Sequence, residues 1–218
     1  MPTASPSPLR EIGHVRAGST ICGNLVVHAN SAIDAALQAD GFVERAIARL
    51  RATDFETNNV AKRNGVNELS RLAAETSDQS LHGEAELKRL REAAAAGGSA
   101  QSPDLRTFAD ALSGAFGRQH RIAVDLSNFL SYLDYRDMRE TPSIPTSSGI
   151  SSRRGGIDPS QSFPVTAPTV QPDPYAQAGT PNRKAVAAAT DFEARTGEIR
   201  GDETTASRHS EAAVSGCS

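Results

Sequence analysis

The stretch FADALSGAFGRQHRIAVDLSNFLSYL, residues 108–133, is the strongest structural signal in the chain, because its apolar residues recur at alternating steps of four and three. This ladder consists of Phe108, Leu112, Ala115, Ile122, Leu126, Phe129 and Leu133, and Phe116, Ala123 and Leu130 widen it into a face. Gln119 is the one polar residue in register with it. The spacing predicts an amphipathic helix whose apolar side is covered by other helices. Burial of each large side chain contributes roughly 1.5–3 kcal/mol, so the face must have a partner surface.

Helix boundary signals flank the ladder on both sides. Residues 102–104 supply a capping hydroxyl, a proline in the first turn and an acid near the positive end of the helix dipole. Thr141-Pro142 ends the pattern, because a residue before proline disfavours helical geometry. We therefore expect a helix to about Arg139, roughly 36 residues and 54 Å long.

Two weaker apolar stripes precede the ladder. Apolar residues recur at three- and four-residue steps over residues 25–50, and a sparser stripe covers 60–94 in a polar background. The sequence at 53–56 matches a capping box, which leaves open whether a second helix begins there or one long helix continues from Phe42. Together the three stripes predict an all-α fold, an elongated antiparallel helical bundle or coiled-coil hairpin of about three helices over residues 19–140.

The composition differs on either side of this region. Residues 1–18 contain Ser5-Pro6-Ser7-Pro8 and are expected to form a flexible leader. Over residues 141–218, Ser, Thr, Pro, Gly and Gln dominate and large apolar residues are isolated. Such a segment buries too little surface to offset its ordering entropy, so we expect a mostly disordered tail. Its one helix-prone part is the Ala-rich run at 184–198, where we expect a transient helix.

Charge and cysteine content exclude several classes of protein. The 23 basic and 26 acidic residues give a net charge of -3, and neither side of residue 140 is basic, so binding to nucleic acid driven by charge is not expected. The two cysteines, Cys22 and Cys217, form neither a disulfide framework nor a metal pair, which favours a reducing compartment. We expect a cytoplasmic protein, or a nuclear one in a eukaryote. No apolar run approaches about 18 residues, so no membrane span is expected.

No residue pattern is typical of a catalytic or metal site. Cys22 and His28 are six residues apart and fall on different faces of a helix, so a nucleophile there would need a base from another segment. No two histidines are four residues apart, and Gly97-Gly98 lacks the lysine of a phosphate-binding loop. We therefore expect no enzymatic activity, no cofactor, no metal and no small-molecule substrate. An enzyme that uses Cys22 is a remote third class.

The functional hypothesis rests on the ladder and on one motif of the tail. Arg139, Pro142 and Pro145 place a basic residue before a Pro-x-x-Pro core, which SH3 domains bind as polyproline II. We expect a non-enzymatic structural or adaptor subunit that binds partner helices, or itself, through the ladder and docks through the tail. The expected partner-binding residues are Phe108, Leu112, Phe116, Ile122, Leu126, Phe129, Leu130, Leu133, Arg139, Pro142 and Pro145. The alternative is a secreted or translocated effector or accessory protein whose leader is an uncleaved export signal.

Overall fold

The computed structural model describes residues 7–12, 14–15, 23–57, 60–96, 102–140 and 175–215, and these ranges contain helices and short turns but no strand. The long helices are α2 (Gly23–Ala52), α3 (Val60–Ala96), α4 (Pro103–Glu140) and α5 (Pro181–Ser215). A single-turn helix, α1 (Leu9–Ile12), precedes them, and a 3-10 turn (Ala176–Ala178) precedes α5. The all-α class is confirmed. The expected number of three helices is wrong, because α5 is a fourth long helix.

The four long helices form an antiparallel bundle. Each packs against the next along the chain, and α5 closes the array by packing against α2. Pairs of contacts that run in opposite directions along neighbouring helices establish this arrangement. They are His28–Glu86 and Arg49–Glu68 for α2 and α3, Arg91–Asp110 and Ser77–His120 for α3 and α4, His209–Asp104 and Arg195–Asp125 for α4 and α5, and Arg51–Glu193 and Arg200–Asp40 for α5 and α2.

The ladder of α4 lies at the centre of the bundle. All ten of its apolar residues are at most 3 % exposed, so the prediction of a covered face is confirmed, and the cover comes from the same chain. Gly83 of α3 makes room for the Phe116 ring, because a Cβ at that position would overlap the ring atoms. The helix begins where the sequence indicates, with the backbone N–H of Leu105 donating to Ser102 Oγ at 3.4 Å.

The first two stripes form separate helices. α2 continues unbroken through Asp40-Gly41, and the capping-box sequence at 53–56 lies in the turn before α3 instead of beginning a helix. Thr53 Oγ1 donates back to the Arg49 carbonyl at 2.9 Å, so this hydroxyl closes the end of α2. The turn packs closely on α3, because a Cβ on Gly65 would lie 2.6 Å from that hydroxyl oxygen.

The flanking regions differ from expectation where the structure describes them. The segment expected to hold only a transient helix at 184–198 forms the 35-residue helix α5, packed against α4 and α2. Leu9 and Val15, within the expected flexible leader, are buried in the core. Residues 141–174 lie outside the described residues, so their expected disorder stays a prediction.

Small side chains account for the missed helix. The buried side of α5 is mostly alanine, and its large members are few, so the apolar stripe is weak in the sequence. The buried apolar residues of α5 are Ala185, Ala188, Ala189, Phe192, Ile199, Ala206, Ala213 and Val214. A helix of this kind depends on a preformed surface, which α2 and α4 provide.

Candidate functional site

A layer of buried polar side chains crosses the middle of the bundle and separates two hydrophobic clusters. One cluster contains Ile33, Leu90 and Phe108, and the other contains Leu50, Leu69, Phe129 and Phe192. On every helix the polar residues occur between the parts that belong to the two clusters. We call the polar layer the buried residues Asp40 of α2, Thr76 and Ser80 of α3, Gln119 of α4 and Glu203 of α5, together with the partly buried Arg200 of α5.

Arg200 is the centre of the polar layer. Its Nη1 donates both to Asp40 Oδ2 and to Glu203 Oε2, the latter at 2.8 Å, and its Nη2 donates to Glu44 Oε1 at 2.7 Å. The Asp40 and Glu203 side chains are 1 % and 0 % exposed, while that of Arg200 is 14 % exposed. Two carboxyl groups therefore converge on one nitrogen in a nearly dry environment, where unpaired charge is costly.

Gln119 connects α4 to α2 across the diagonal of the bundle. Its Nε2 donates to Asp40 Oδ1 at 2.9 Å and to the Ala36 carbonyl at 3.2 Å. The one polar residue in register with the ladder therefore holds the carboxylate of the polar layer in place. Because these bonds form only in one alignment of α4 on α2, they favour a single register.

The surroundings of Glu203 favour the protonated form of its carboxyl group. Burial raises the pKa of this carboxyl group, and the hydrogen bond and negative charge of Asp40 raise it further. Arg200 opposes the shift without cancelling it, and the pKa is about 8. A protonated Glu203 carboxyl group can donate a hydrogen bond to Asp40 beside the Arg200 guanidinium.

Three buried atoms of the polar layer have no hydrogen-bond partner among the described residues: Gln119 Oε1, Arg200 Nε and Glu203 Oε1. A buried polar atom left unpaired costs about 1–3 kcal/mol, and ordered water is the usual remedy. The proton shared with Asp40 can satisfy Glu203 in part. Small polar molecules such as water can form hydrogen bonds with the atoms that remain unpaired.

A surface groove of about 660 Å³ lies between α4 and α5. It is lined by Ser113, Gly114, Gly117, Arg118, Arg121, Asp125, Arg195 and Glu198. Arg118 pairs with Glu198 at 3.0 Å and with Asp202, while Arg195 pairs with Asp191 at 2.7 Å and with Asp125. These two guanidinium groups are neutralised in place, so the groove ties α5 to α4 instead of presenting strong positive charge.

His28 belongs to an ion pair between α2 and α3. Its Nδ1 lies 2.7 Å from Glu86 Oε2, and Arg89 binds the other oxygen of the same carboxylate. Burial alone would raise the pKa of Glu86, but the hydrogen bond from His28 and the positive charge of Arg89 hold it below its usual value. His28 therefore has a carboxylate partner that is distant in sequence, while Cys22 lies outside the described residues.

The structure places the predicted partner-binding residues in two groups. The eight predicted residues that belong to the face of the ladder, from Phe108 to Leu133, lie together on α4, inside the chain's own core. Association through them stays a prediction that requires the bundle to open. Pro142 and Pro145 lie outside the described residues, as does the side chain of Arg139, whose backbone is in α4.

Sequence reasoning missed the polar layer, although two signals point to it. Gln119 interrupts the ladder, and Asp40 interrupts the apolar stripe of α2, so each is a polar residue in core register. Asp40 is 160 positions from its partner Arg200 and 79 positions from its partner Gln119, distances across which periodicity carries no information.

Comparisons with protein-family models, curated proteins and solved structures find no match to this chain. Within the described residues, no cluster of three or more His, Cys, Asp and Glu side chains could hold a metal ion. None of the helices described has the length and apolar character needed to cross a membrane.

Proposed function

We propose that the chain is a non-enzymatic structural or adaptor subunit of a protein assembly, in which the bundle is a scaffold and residues 139–174 carry the docking sequence. The observation that supports this best is the antiparallel packing of α4 and α5. The end of α4 and the start of α5 lie side by side, because Lys184 Nζ sits 4.6 Å from the centre of the Tyr132 ring. The described residues on either side of 141–174 therefore lie at the same end of the bundle.

Aromatic contacts and hydrogen bonds anchor this end of the bundle. The Phe129 ring makes edge-to-face contacts with the rings of Phe55 and Tyr175, and the distances between ring centroids are 5.9 and 6.1 Å. Asn182 accepts a hydrogen bond from the Phe55 backbone at 2.6 Å and donates one to Asp54 at 2.8 Å. Anchoring both ends of a recognition segment restricts its conformations, which lowers the entropy lost when a partner binds.

The sequence of residues 141–174 favours an extended backbone of the kind that peptide-binding domains recognise. Seven of the chain's twelve prolines lie in residues 141–174, where they prevent a continuous helix. Arg139, Pro142 and Pro145 supply the spacing that an aromatic-lined SH3 groove accepts. The proposed partner is therefore a protein with a domain of this recognition class.

Titration of purified SH3 domains against the full chain tests the proposal. We expect one or more domains to bind saturably, and the double variant Pro142→Ala/Pro145→Ala to weaken binding about tenfold or more, since each tenfold corresponds to about 1.4 kcal/mol. The matched control is Pro164→Ala/Pro168→Ala, which removes two prolines with a different spacing from the same segment. Equal weakening by both variants, or no binding across a broad panel of domains, contradicts the proposal.

Self-association through the ladder is the second form of this hypothesis. Because the ladder is buried, two copies would have to exchange helices, as in a domain-swapped dimer. Sedimentation of the full chain over a wide concentration range tests it. A dimer that dissociates slowly on dilution supports helix exchange, whereas a monomer at every concentration contradicts it.

A further inference from the structure

A short N-terminal segment closes over the contact between α2 and α5. We call residues 7–12 and 14–15 the latch. Leu9 and Val15 of the latch are 0 % and 4 % exposed and join the core cluster that contains Ile33 and Ala206. The backbone of Val15 forms two hydrogen bonds with the Asn30 side chain, at 2.8 and 3.0 Å. The latch is thus held by a few contacts at each end.

The latch covers the edge of the polar layer. Ser7 is fully buried, and its hydroxyl donates to Glu203 Oε2 at 2.8 Å. The Leu9 backbone N–H in turn donates to Ser7 Oγ at 3.2 Å, which begins the single turn of α1 on top of that contact. One element therefore both seals the carboxyl pair from solvent and bonds to it directly.

The charged groups around the Asp40–Glu203 pair do not balance when both acids are ionised. Arg200 faces the pair from α5, and Glu44 faces it from α2. Arg10 of α1 reaches only Glu44, at 3.9 Å, and α4 contributes the neutral Gln119. One partly buried guanidinium thus faces two buried carboxyl groups and a third that is partly exposed. A proton on the pair restores balance inside the layer.

We propose that Asp40 and Glu203 form a buried proton site that controls the latch, which stays closed while the pair shares a proton and opens when that proton leaves. When the latch opens, water reaches the extra negative charge and solvates it, which lowers the free-energy cost of that charge. The coupling is reciprocal. If the closed latch raises the affinity of the carboxyl pair for a proton, binding of that proton stabilises the closed latch.

The direction of the pH dependence follows from the raised pKa of Glu203. Burial raises the pKa of this carboxyl group from 4.5 to about 8. The proton therefore stabilises the closed form at lower pH, and this stabilisation is lost as the pH rises through about 8. Mildly alkaline conditions therefore release the latch.

Hydrogen exchange of the full chain measures the state of the latch directly. We expect the protection factor of the peptide spanning residues 7–15, corrected for intrinsic exchange, to fall about tenfold or more between about pH 6 and about pH 9.5. Glu203→Gln mimics the protonated acid and should keep the latch protected across this range. A flat wild-type profile, or a Glu203→Gln profile that falls as the wild type does, overturns the proposal.

Two control variants separate this site from other titrating groups. His14 lies 3.0 Å from Asp34 at the end of the latch, and Glu193 pairs with Arg51 elsewhere on α5. His14→Gln and Glu193→Gln should both retain the loss of protection in the alkaline range. Abolition of that loss by either variant assigns the pH dependence to another group and overturns the proposal.

A reciprocal measurement keeps the test valid if Glu203→Gln does not fold. The Glu203 carboxyl resonance can be titrated by ¹³C NMR in the wild type and in Leu9→Ser, which removes the buried anchor of the latch. We expect Leu9→Ser to lower the pKa of Glu203 by about one unit or more, because an open latch no longer seals the carboxyl group. An unchanged pKa contradicts the coupling.

Discussion

α4 and α5 are neighbouring helices of similar length that the bundle holds by different means. α4 buries ten apolar residues of its ladder, among them Phe108, Phe116 and Phe129. α5 buries mostly alanines, with Phe192 and Ile199 as its main large members. Burial of a large apolar side chain contributes roughly 1.5–3 kcal/mol. One buried methylene group, which is comparable in size to the single methyl group of alanine, contributes about 0.8 kcal/mol. α4 therefore supplies much of the core that α5 needs in order to fold.

Charged contacts compensate in part for the thin apolar side of α5. Arg195 and Arg200 bind carboxylates of α4 and α2, and Glu198 and Asp202 bind Arg118 of α4. These contacts specify where α5 lies more than how strongly it is held. The partly exposed pairs with α4 contribute little, and the attraction in the nearly buried Arg200–Asp40 pair is offset by the cost of desolvating its charges. The comparison thus separates a helix that builds the core from one that is positioned on it.

Charge inside the ladder should have the largest effect. Leu126→Asp/Phe129→Asp places two unpaired charges in the core at a cost of several kcal/mol each, which approaches the stability of a typical domain. We expect loss of cooperative unfolding and of most helical circular dichroism. The control Val124→Asp/Asn128→Asp adds the same charges to the exposed face of α4 and should stay folded. A folded ladder variant contradicts the central role of α4.

Overpacking of α5 should have an intermediate effect. Ala188 is fully buried, so Ala188→Leu forces extra methylene groups into a tight contact and should lower the free energy of unfolding by about 1–3 kcal/mol. The control Ala194→Leu makes the same change on the exposed side of α5 and should be nearly neutral. Urea unfolding measures both. Equal stability of the two variants would mean that α5 packs loosely, against the close contact described here.

The sequence predicts α4 well because the evidence for it is local. Large side chains at regular spacing, a cap at Ser102 and a stop at Pro142 all lie within one window. Ser102 starts the helix as expected, and the ladder is buried as expected. The chain's own helices cover the ladder, and association with another protein through it stays a prediction.

The sequence predicts α5 and the polar layer poorly because their evidence is distant. Alanines at core positions look the same as alanines on a solvated helix, and Arg200 gains its meaning only when Asp40 lies beside it. The same holds for Asn182, which binds the backbone of Phe55, 127 positions earlier in the chain. Gln119 is the exception, since its polar side chain in the ladder indicates that a buried partner exists.

Removal of either guanidinium group of the groove, that of Arg118 or that of Arg195, should have the smallest effect. The side chains of Arg118 and Arg195 are 37 % and 33 % exposed, so Arg118→Gln and Arg195→Gln should each lower the free energy of unfolding by only about 0.2–1 kcal/mol. The effect should shrink further at high salt, where exposed charges are screened. Arg121→Gln is the matched control, because Arg121 lines the same groove without an ion pair among the described residues. Urea unfolding at low and high salt distinguishes the outcomes: a loss above about 2 kcal/mol for either variant would make charge, not alanine packing, the main force that holds α5.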